Sequence, residues 1–204
     1  SDVSVGGRTL TVVDLPGTYS LVPLDPAEKV AYGHLFQERP DLVVNVLDAS
    51  TLSRGLELTL ELLEMRRPMI VALNMVDLAE KKGLEIDPAR LERSLGVPVV
   101  ATIASHGRGI KELLDRAFEV LDRGPSVPRH AWSADVQAKL DELVRLLPED
   151  FCAGSDEIFA AAKLVETGHL ACDGILTELE PAFKAELDRI RAELEAMRGV
   201  PAYE

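Results

Sequence analysis

The sequence predicts an α/β fold, a mostly parallel sheet with helices on both faces, followed by a small all-α helical domain. Three observations carry this. Short β-branched runs alternate with amphipathic helical patterns as far as residue 122, the signature of βα units. The 204 residues are 47% hydrophobic but only 4% aromatic, so the chain can bury a full core and must build it from Leu, Val, Ala and Ile. After Gly124-Pro125-Ser126-Val127-Pro128 the apolar periodicity is helical throughout. The expected organisation is an α/β domain over 1–123, a linker over 124–130 and a helical domain over 131–204.

The elements follow in order. Val3 and Val5 alternate with polar residues, Gly6-Gly7 supplies a turn, and Leu10, Val12 and Val13 return, which predicts an antiparallel hairpin. Asp25-Pro26-Ala27-Glu28 offers an N-cap, a proline at the first helical position and a capping-box glutamate, so a helix is expected from there to about Gln37. Three buried parallel strands are expected at 42–47, 69–73 and 97–101. Between and after them, Leu56, Leu60 and Leu63 mark one helical stripe, Asp87-Pro88 opens a short helix, and Ile110, Leu113, Leu114, Ala117 and Leu121 form another apolar face. Beyond the linker, Val136, Leu140, Leu143, Val144 and Leu147 make one stripe and residues 158–164 a second. Leu179, Phe183, Leu187, Ile190, Leu194 and Met197 step by four and three behind Pro181, a seam expected to close a helical bundle on itself.

Charge narrows the partners. A formal net charge of −13 disfavours nucleic acid, whose binding rests on phosphate neutralisation by Lys and Arg. No apolar run approaches the roughly 20 residues that cross a bilayer. The two cysteines, Cys152 and Cys172, form no disulfide framework, and Cys152, His169 and Cys172 make an incomplete metal signature that reads as packing thiols and a surface histidine.

Chemistry concentrates in three loops that follow strands. Asp14-Leu15-Pro16-Gly17 puts a carboxylate and an unshielded glycine amide at a strand's carboxyl edge, where α/β sheets bind ligands. Such an aspartate can hold Mg²⁺ through a water, and such a glycine N–H can reach a γ-phosphate because no Cβ blocks the approach. Asn74-Met75-Val76-Asp77 leaves the second parallel strand, and one carboxylate there can accept the N1 and N2 donors of guanine in a fork that adenine does not match. Thr102-Ile103-Ala104 leaves the third strand, and the small Ala104 can bring its N–H to the guanine O6.

With these residues in view, the stretches 12–21 (Val-Val-Asp-Leu-Pro-Gly-Thr-Tyr-Ser-Leu), 45–50 (Asn-Val-Leu-Asp-Ala-Ser) and 72–77 (Ala-Leu-Asn-Met-Val-Asp) closely resemble the cytoplasmic GTPase domain of the bacterial ferrous iron transporter B family. Lys81-Lys82-Gly83 and Gly107-Arg108-Gly109-Ile110 fit the same family, and the similarity extends loosely to Phe159–Glu166 in the helical part. The resemblance implies a P-loop GTPase-like sheet, GTP/GDP and Mg²⁺ as cofactors, slow GTP hydrolysis, and a helical domain that modulates nucleotide affinity. It also implies placement on the cytoplasmic face of the bacterial inner membrane, beside the membrane transport domain of the same parent protein. By motif, the resemblance implies that Asp14 serves Mg²⁺ through a water, Gly17 the γ-phosphate, Asn74 and Asp77 the base and Ala104 its O6, with Leu15, Pro16, Met75, Thr102 and Ile103 also nucleotide-binding and residues 18 to about 30 forming switch II.

Two departures shape the expectation. Thr18 stands where Ras-type enzymes carry a water-orienting glutamine, so no catalytic residue is assignable. The sequence also carries no G-x-x-x-x-G-K-[ST], and the first strand of that fold is missing with it. The expected molecule is a fragment of a GTP-binding, GTP-hydrolysing regulatory domain with impaired nucleotide binding. The alternatives are a nucleotide-free interaction scaffold and a ribosome- or RNA-associated GTPase of the same fold, although the latter usually carries a basic extension and this helical tail is acidic.

Overall fold

The computed structural model describes residues 2–5, 7–18, 30–31, 33–124, 132–147, 157–168, 170–172, 175–177 and 180–199. The chain divides into two compact units, residues 1–21 with 40–128 and residues 22–39 with 129–204. The segment 22–39 therefore groups with the helical residues, whereas the sequence reading keeps it in the α/β domain.

In the first unit, β1 (Asp2–Val5) and β2 (Arg8–Thr11) form the expected antiparallel hairpin, turned by Gly7 at φ 80. The ladder ends on the Asp2–Thr11 pair, so β2 stops short of the expected Val13. Val12 and Val13 continue as irregular chain, 45% and 53% exposed. Arg8 ties the hairpin to the helix Ile110–Arg123 by an ion pair to Asp122 at 2.9 Å and by stacking its guanidinium 4.4 Å from the centre of the Phe118 ring.

The parallel strands β3 (Val43–Asp48), β4 (Met69–Asn74) and β5 (Val99–Ala101) form one sheet in that order. β4 is central, and its first five residues are all buried, as expected of a strand covered on both faces. α1 (Leu52–Glu64) crosses from β3 to β4, but not on the predicted stripe. Gly55, Thr59 and Leu62 turn inward while Leu60 is 46% exposed. The reason is polar: the buried Asn45 side chain on β3 donates to Thr59 Oγ1 at 2.8 Å, and that hydroxyl donates in turn to the Gly55 carbonyl at 2.7 Å. Both buried polar groups are thereby satisfied, and a Cβ on Gly55 would sit 2.5 Å from Leu47 Cδ2, so the glycine is what lets the helix approach.

Two short helices follow β4: α2 (Val76–Lys81) and α3 (Pro88–Leu95). α3 starts as the sequence indicates, with Asp87 accepting from the amides of Ala89 and Arg90 and Pro88 in the first turn. After β5, α4 (Ile110–Arg123) packs Leu113 and Ala117 over Ile70 and Val100. Glu92 on α3 protects the outer side of β5: one carboxylate oxygen accepts the Val99 amide at 2.9 Å, and both accept from Arg116 of α4.

In the second unit, Val30, Ala31 and Gly33 are helical and His34–Glu38 forms a π-type turn. The Asp25-Pro26 start expected for that helix lies outside the described residues. α5 (Ala134–Val144), α6 (Glu157–Thr167) and α7 (Pro181–Arg198) pack Leu140, Leu143, Ala161, Leu164, Leu187 and Ile190 into an aliphatic core. The seam on α7 buries Leu187, Ile190 and Leu194, while Met197 is 51% exposed; Leu179 lies outside the described residues. On the partly exposed side, Arg189 of α7 pairs with Glu142 of α5 and with Glu186 and Glu193 of its own helix.

The helical unit is not wholly helical. β6 (Leu170–Cys172) and β7 (Ile175–Thr177) pair antiparallel, with Cys172 opposite Ile175. The intervening sequence is Asp173-Gly174, a dipeptide that favours two-residue hairpin loops, so two three-residue runs too short to announce strands are joined by a turn signal. Cys152 and His169 lie outside the described residues.

Burial alone would raise the Glu92 carboxyl, but the Val99 amide and then the Arg116 guanidinium outweigh it and hold the group below the ordinary glutamate range. A depressed folded value means stabilisation that is complete above the unfolded glutamate value of about 4.3 and is lost as pH falls through the lower folded value. Unfolding free energies from urea titrations taken down to acid pH are expected to fall less steeply for Glu92→Gln than for the parent, by about 1 kcal/mol or less because the pair is partly exposed.

Candidate functional site

The parallel register sets the carboxyl edge of the sheet. Asp48 pairs with Asn74 at the ends of β3 and β4, and Leu73 pairs with Ala101 at the end of β5. The ladder runs one bond further, from the Thr102 amide to the Leu73 carbonyl at 2.8 Å, which carries the segment after β5 alongside Asn74.

Asn74 then joins the two loops. Its side-chain oxygen accepts the Thr102 hydroxyl at 3.2 Å and the Ala104 amide at 3.0 Å. A backbone N–H is an obligatory donor, so this contact identifies the oxygen of the Asn74 amide and leaves its NH₂ as the group offered to an incoming acceptor. Thr102 and Ile103 are buried, at 2% and 9% exposure, and shape the loop from inside. Ala104 is exposed and opens the short 3₁₀ turn Ala104–His106. Ile103 and Arg108 exchange backbone hydrogen bonds at 3.0 and 3.2 Å, closing the loop on itself.

Met75 turns the chain from β4 into α2. It lies in the left-handed region at φ 60, uncommon for a side chain of this kind, and its carbonyl accepts the amides of Leu78 and Ala79. The corner brings Asp77 into the first turn of α2, one turn from Lys81, whose Nζ lies 3.5 Å from Asp77 Oδ2. Such a pair along an exposed helix face is weak. An incoming pair of donors can therefore compete for the carboxylate.

The Asp14–Gly17 segment follows β2 rather than ending a strand. Asp14, Pro16 and Gly17 are exposed and Leu15 is half-buried. Among the described residues, a Cβ added to Gly17 would meet nothing within 4 Å. Among the described residues, the hydrogen bonds assemble Asn74, Thr102 and Ala104 and do not extend to Asp14. The donor set on this chain thus divides into a built cluster and an open carboxylate-and-glycine turn. An exposed hard carboxylate suits Mg²⁺, and an open glycine amide suits phosphate oxygen.

Sequence reasoning did not single out Gly109 for its geometry. It sits at φ 80, and a Cβ there would lie 2.3 Å from the Ala101 carbonyl oxygen and 3.1 Å from Thr102 Cα. This close approach presses the end of β5 against the start of α4 and supports the loop that carries Ala104.

Comparison with known proteins bears on the same segments. The family described as ferrous iron transport protein B matches residues 1–117. A fusion of Fe(2+) transport protein A with Fe(2+) transporter FeoB from Porphyromonas gingivalis is 46% identical over 116 residues, covering 56% of this chain and 14% of that protein. The Fe(2+) transporter FeoB of Escherichia coli is 39% identical over 151 residues, covering 72% of this chain and 19% of that protein. The chain thus spans less than a fifth of the length of these curated relatives. Among solved structures, S. thermophilus NFeoB bound to mGMPPNP has a TM-score of 0.78 at 31% identity, covering 93% of this chain and 71% of that one. The cytosolic domain of the T. maritima FeoB iron transporter in a GDP form has a TM-score of 0.76 at 27% identity, covering 94% and 82%.

Gly109→Ala is expected to lose about 2 to 4 kcal/mol of stability, since both the positive φ and the backbone contact oppose a side chain. Thermal melts give the loss, and amide exchange at Ala104 is expected to rise with it, beyond what the same destabilisation introduced in the helical core produces.

Proposed function

The chain belongs to the ferrous iron transport protein B family, and from that premise we propose that it is the cytosolic guanine-nucleotide-binding regulatory domain of a membrane ferrous iron transporter. The observation that carries the reading is the Asn74 amide, whose oxygen gathers the Thr102 hydroxyl and the Ala104 amide into one cluster at the sheet's carboxyl edge. That arrangement leaves the Asn74 NH₂ for the base N7 and the Ala104 loop for O6. The carboxylate of Asp77 accepts the guanine N1 and N2 donors. Each group follows from donor and acceptor chemistry, and the nucleotide-bound relatives of similar fold support the assignment.

On the phosphate side, Asp14 would hold Mg²⁺ and the Gly17 amide would meet the phosphate oxygens. Bound Mg²⁺ supplies charge neutralisation of the phosphates. Residues 1–204 carry the base-reading groups of the proposed site. Hydrolysis has no water-positioning side chain after Gly17, where Thr18 stands. The membrane transport domain of the parent protein is the partner whose conductance this domain regulates, on the cytoplasmic side of the inner membrane. Among the described residues no helix is long and apolar enough to cross a membrane. Nucleic acid is not a partner on this reading, in keeping with the net charge of −13.

Titration of the chain with GDP, followed by amide chemical shifts so that weak binding registers, tests the proposal. Saturable shifts at Asn74, Asp77 and Ala104 are expected, and Asp77→Ala is expected to weaken binding by tenfold or more. Asp77→Asn presents one acceptor and one donor in place of two acceptors, so it is expected to prefer XDP to GDP. Equal affinity for GDP and ADP in the parent would defeat the guanine reading.

A further inference from the structure

The helix that presents Asp77 is short and starts on the backbone corner at Met75. α2 has six residues, and its N-cap, Met75, makes no side-chain capping hydrogen bond. Inward anchoring within α2 rests on Ala79, at 2% exposure. Its other end is fastened elsewhere. Lys82, immediately past α2, donates from Nζ to Ser50 Oγ at 3.0 Å, a link across 32 residues of sequence.

Ser50 is itself fixed. It is 8% exposed, sits in the 3₁₀ turn Ala49–Thr51 directly after β3, and donates its amide to Asp48 Oδ1 at 2.7 Å. Asp48 is the cap of that turn and the register partner of Asn74. Burial alone would raise its carboxyl, but hydrogen bonds from Ser50 and Thr51 and the Lys82 charge outweigh that and hold it ionised below the ordinary aspartate range. An ionised Asp48, a buried hydroxyl and an ammonium therefore form a chain from the end of β3 to the end of α2.

We propose that Lys82 is a positioning residue for base recognition: by grasping Ser50 it fixes the rotation of α2 about the sheet edge, and so sets the angle at which Asp77 meets the two guanine donors. The inference rests on the guanine reading of Asp77 given above and extends it to two residues that touch no nucleotide. A fork of two hydrogen bonds demands angle as well as distance. A base with one donor tolerates a rotated carboxylate better than a base with two. Lys82 and Ser50 therefore tune guanine against hypoxanthine, which keeps the N1 donor and lacks the 2-amino group.

The experiment measures GDP and IDP affinity for the whole chain by the same chemical-shift titration, in the parent and in Lys82→Met, Ser50→Ala and Lys82→Arg. Lys82→Met keeps the length of the stem and removes the donor, while Ser50→Ala removes the acceptor with little change of volume. Both are expected to weaken GDP binding about five- to tenfold and IDP binding less, shrinking the GDP-to-IDP preference. Lys82→Arg, which restores a donor, is expected to recover it. A GDP-to-IDP ratio unchanged in Lys82→Met and Ser50→Ala, even with a lowered melting temperature, overturns the proposal and leaves the contact structural. A parent chain that binds GDP no better than IDP and ADP defeats the guanine reading itself, a distinct result.

Discussion

One hydrogen-bonding group organises the carboxyl edge of this sheet: the side-chain oxygen of Asn74, which accepts from Thr102 and from Ala104. The bond to Ala104 requires the third strand's loop to run beside the second strand's end, and that in turn requires the exact pairing of Leu73 with Ala101. A shift of one residue would turn every side chain of β5 to the other face and carry Ala104 away from Asn74. The close backbone approach at Gly109 and the Ile103–Arg108 bridge hold the same loop from its far side. The Asn74–Thr102–Ala104 cluster is thus a consequence of strand register expressed through one amide.

The rest of the first unit protects that register. Asn45, Thr59 and Gly55 form a buried polar chain between β3 and α1, and each group has a partner, so the chain specifies one rotation of the helix without leaving an unpaired polar atom. Glu92 and Arg116 do similar work at β5, where a carboxylate covers an outward backbone amide. Aliphatic packing of Ile70, Val100 and Ala117 joins the sheet to α4. Polar contacts choose among the ways that apolar surface could have packed. The Lys82 link to Ser50 belongs to the same class, a polar tie between the end of a short helix and the turn after β3.

The sequence by itself determined most of the strands and helices of the first unit and the identity of the chemical groups at the sheet's edge. Strand runs of β-branched residues, the Asp87-Pro88 helix start and the apolar faces of α4, α5 and α7 were legible because period and capping are local properties of the chain. The loops at 74–77 and 102–104 were legible as lying at the carboxyl edge because their polar residues follow buried strands directly. Tertiary structure decided what local rules do not encode. The inward face of α1 follows Thr59 rather than the leucines, because Asn45 on another strand needs a partner. β2 ends at Thr11, where its ladder ends, and the β6–β7 pairing joins two runs too short to signal strands by themselves. Leu73 beside Ala101, Asn74 bonded to Ala104 and Lys82 bonded to Ser50 all join residues 28 or more apart in sequence, and such pairings are fixed by register and packing rather than by the residues next to them.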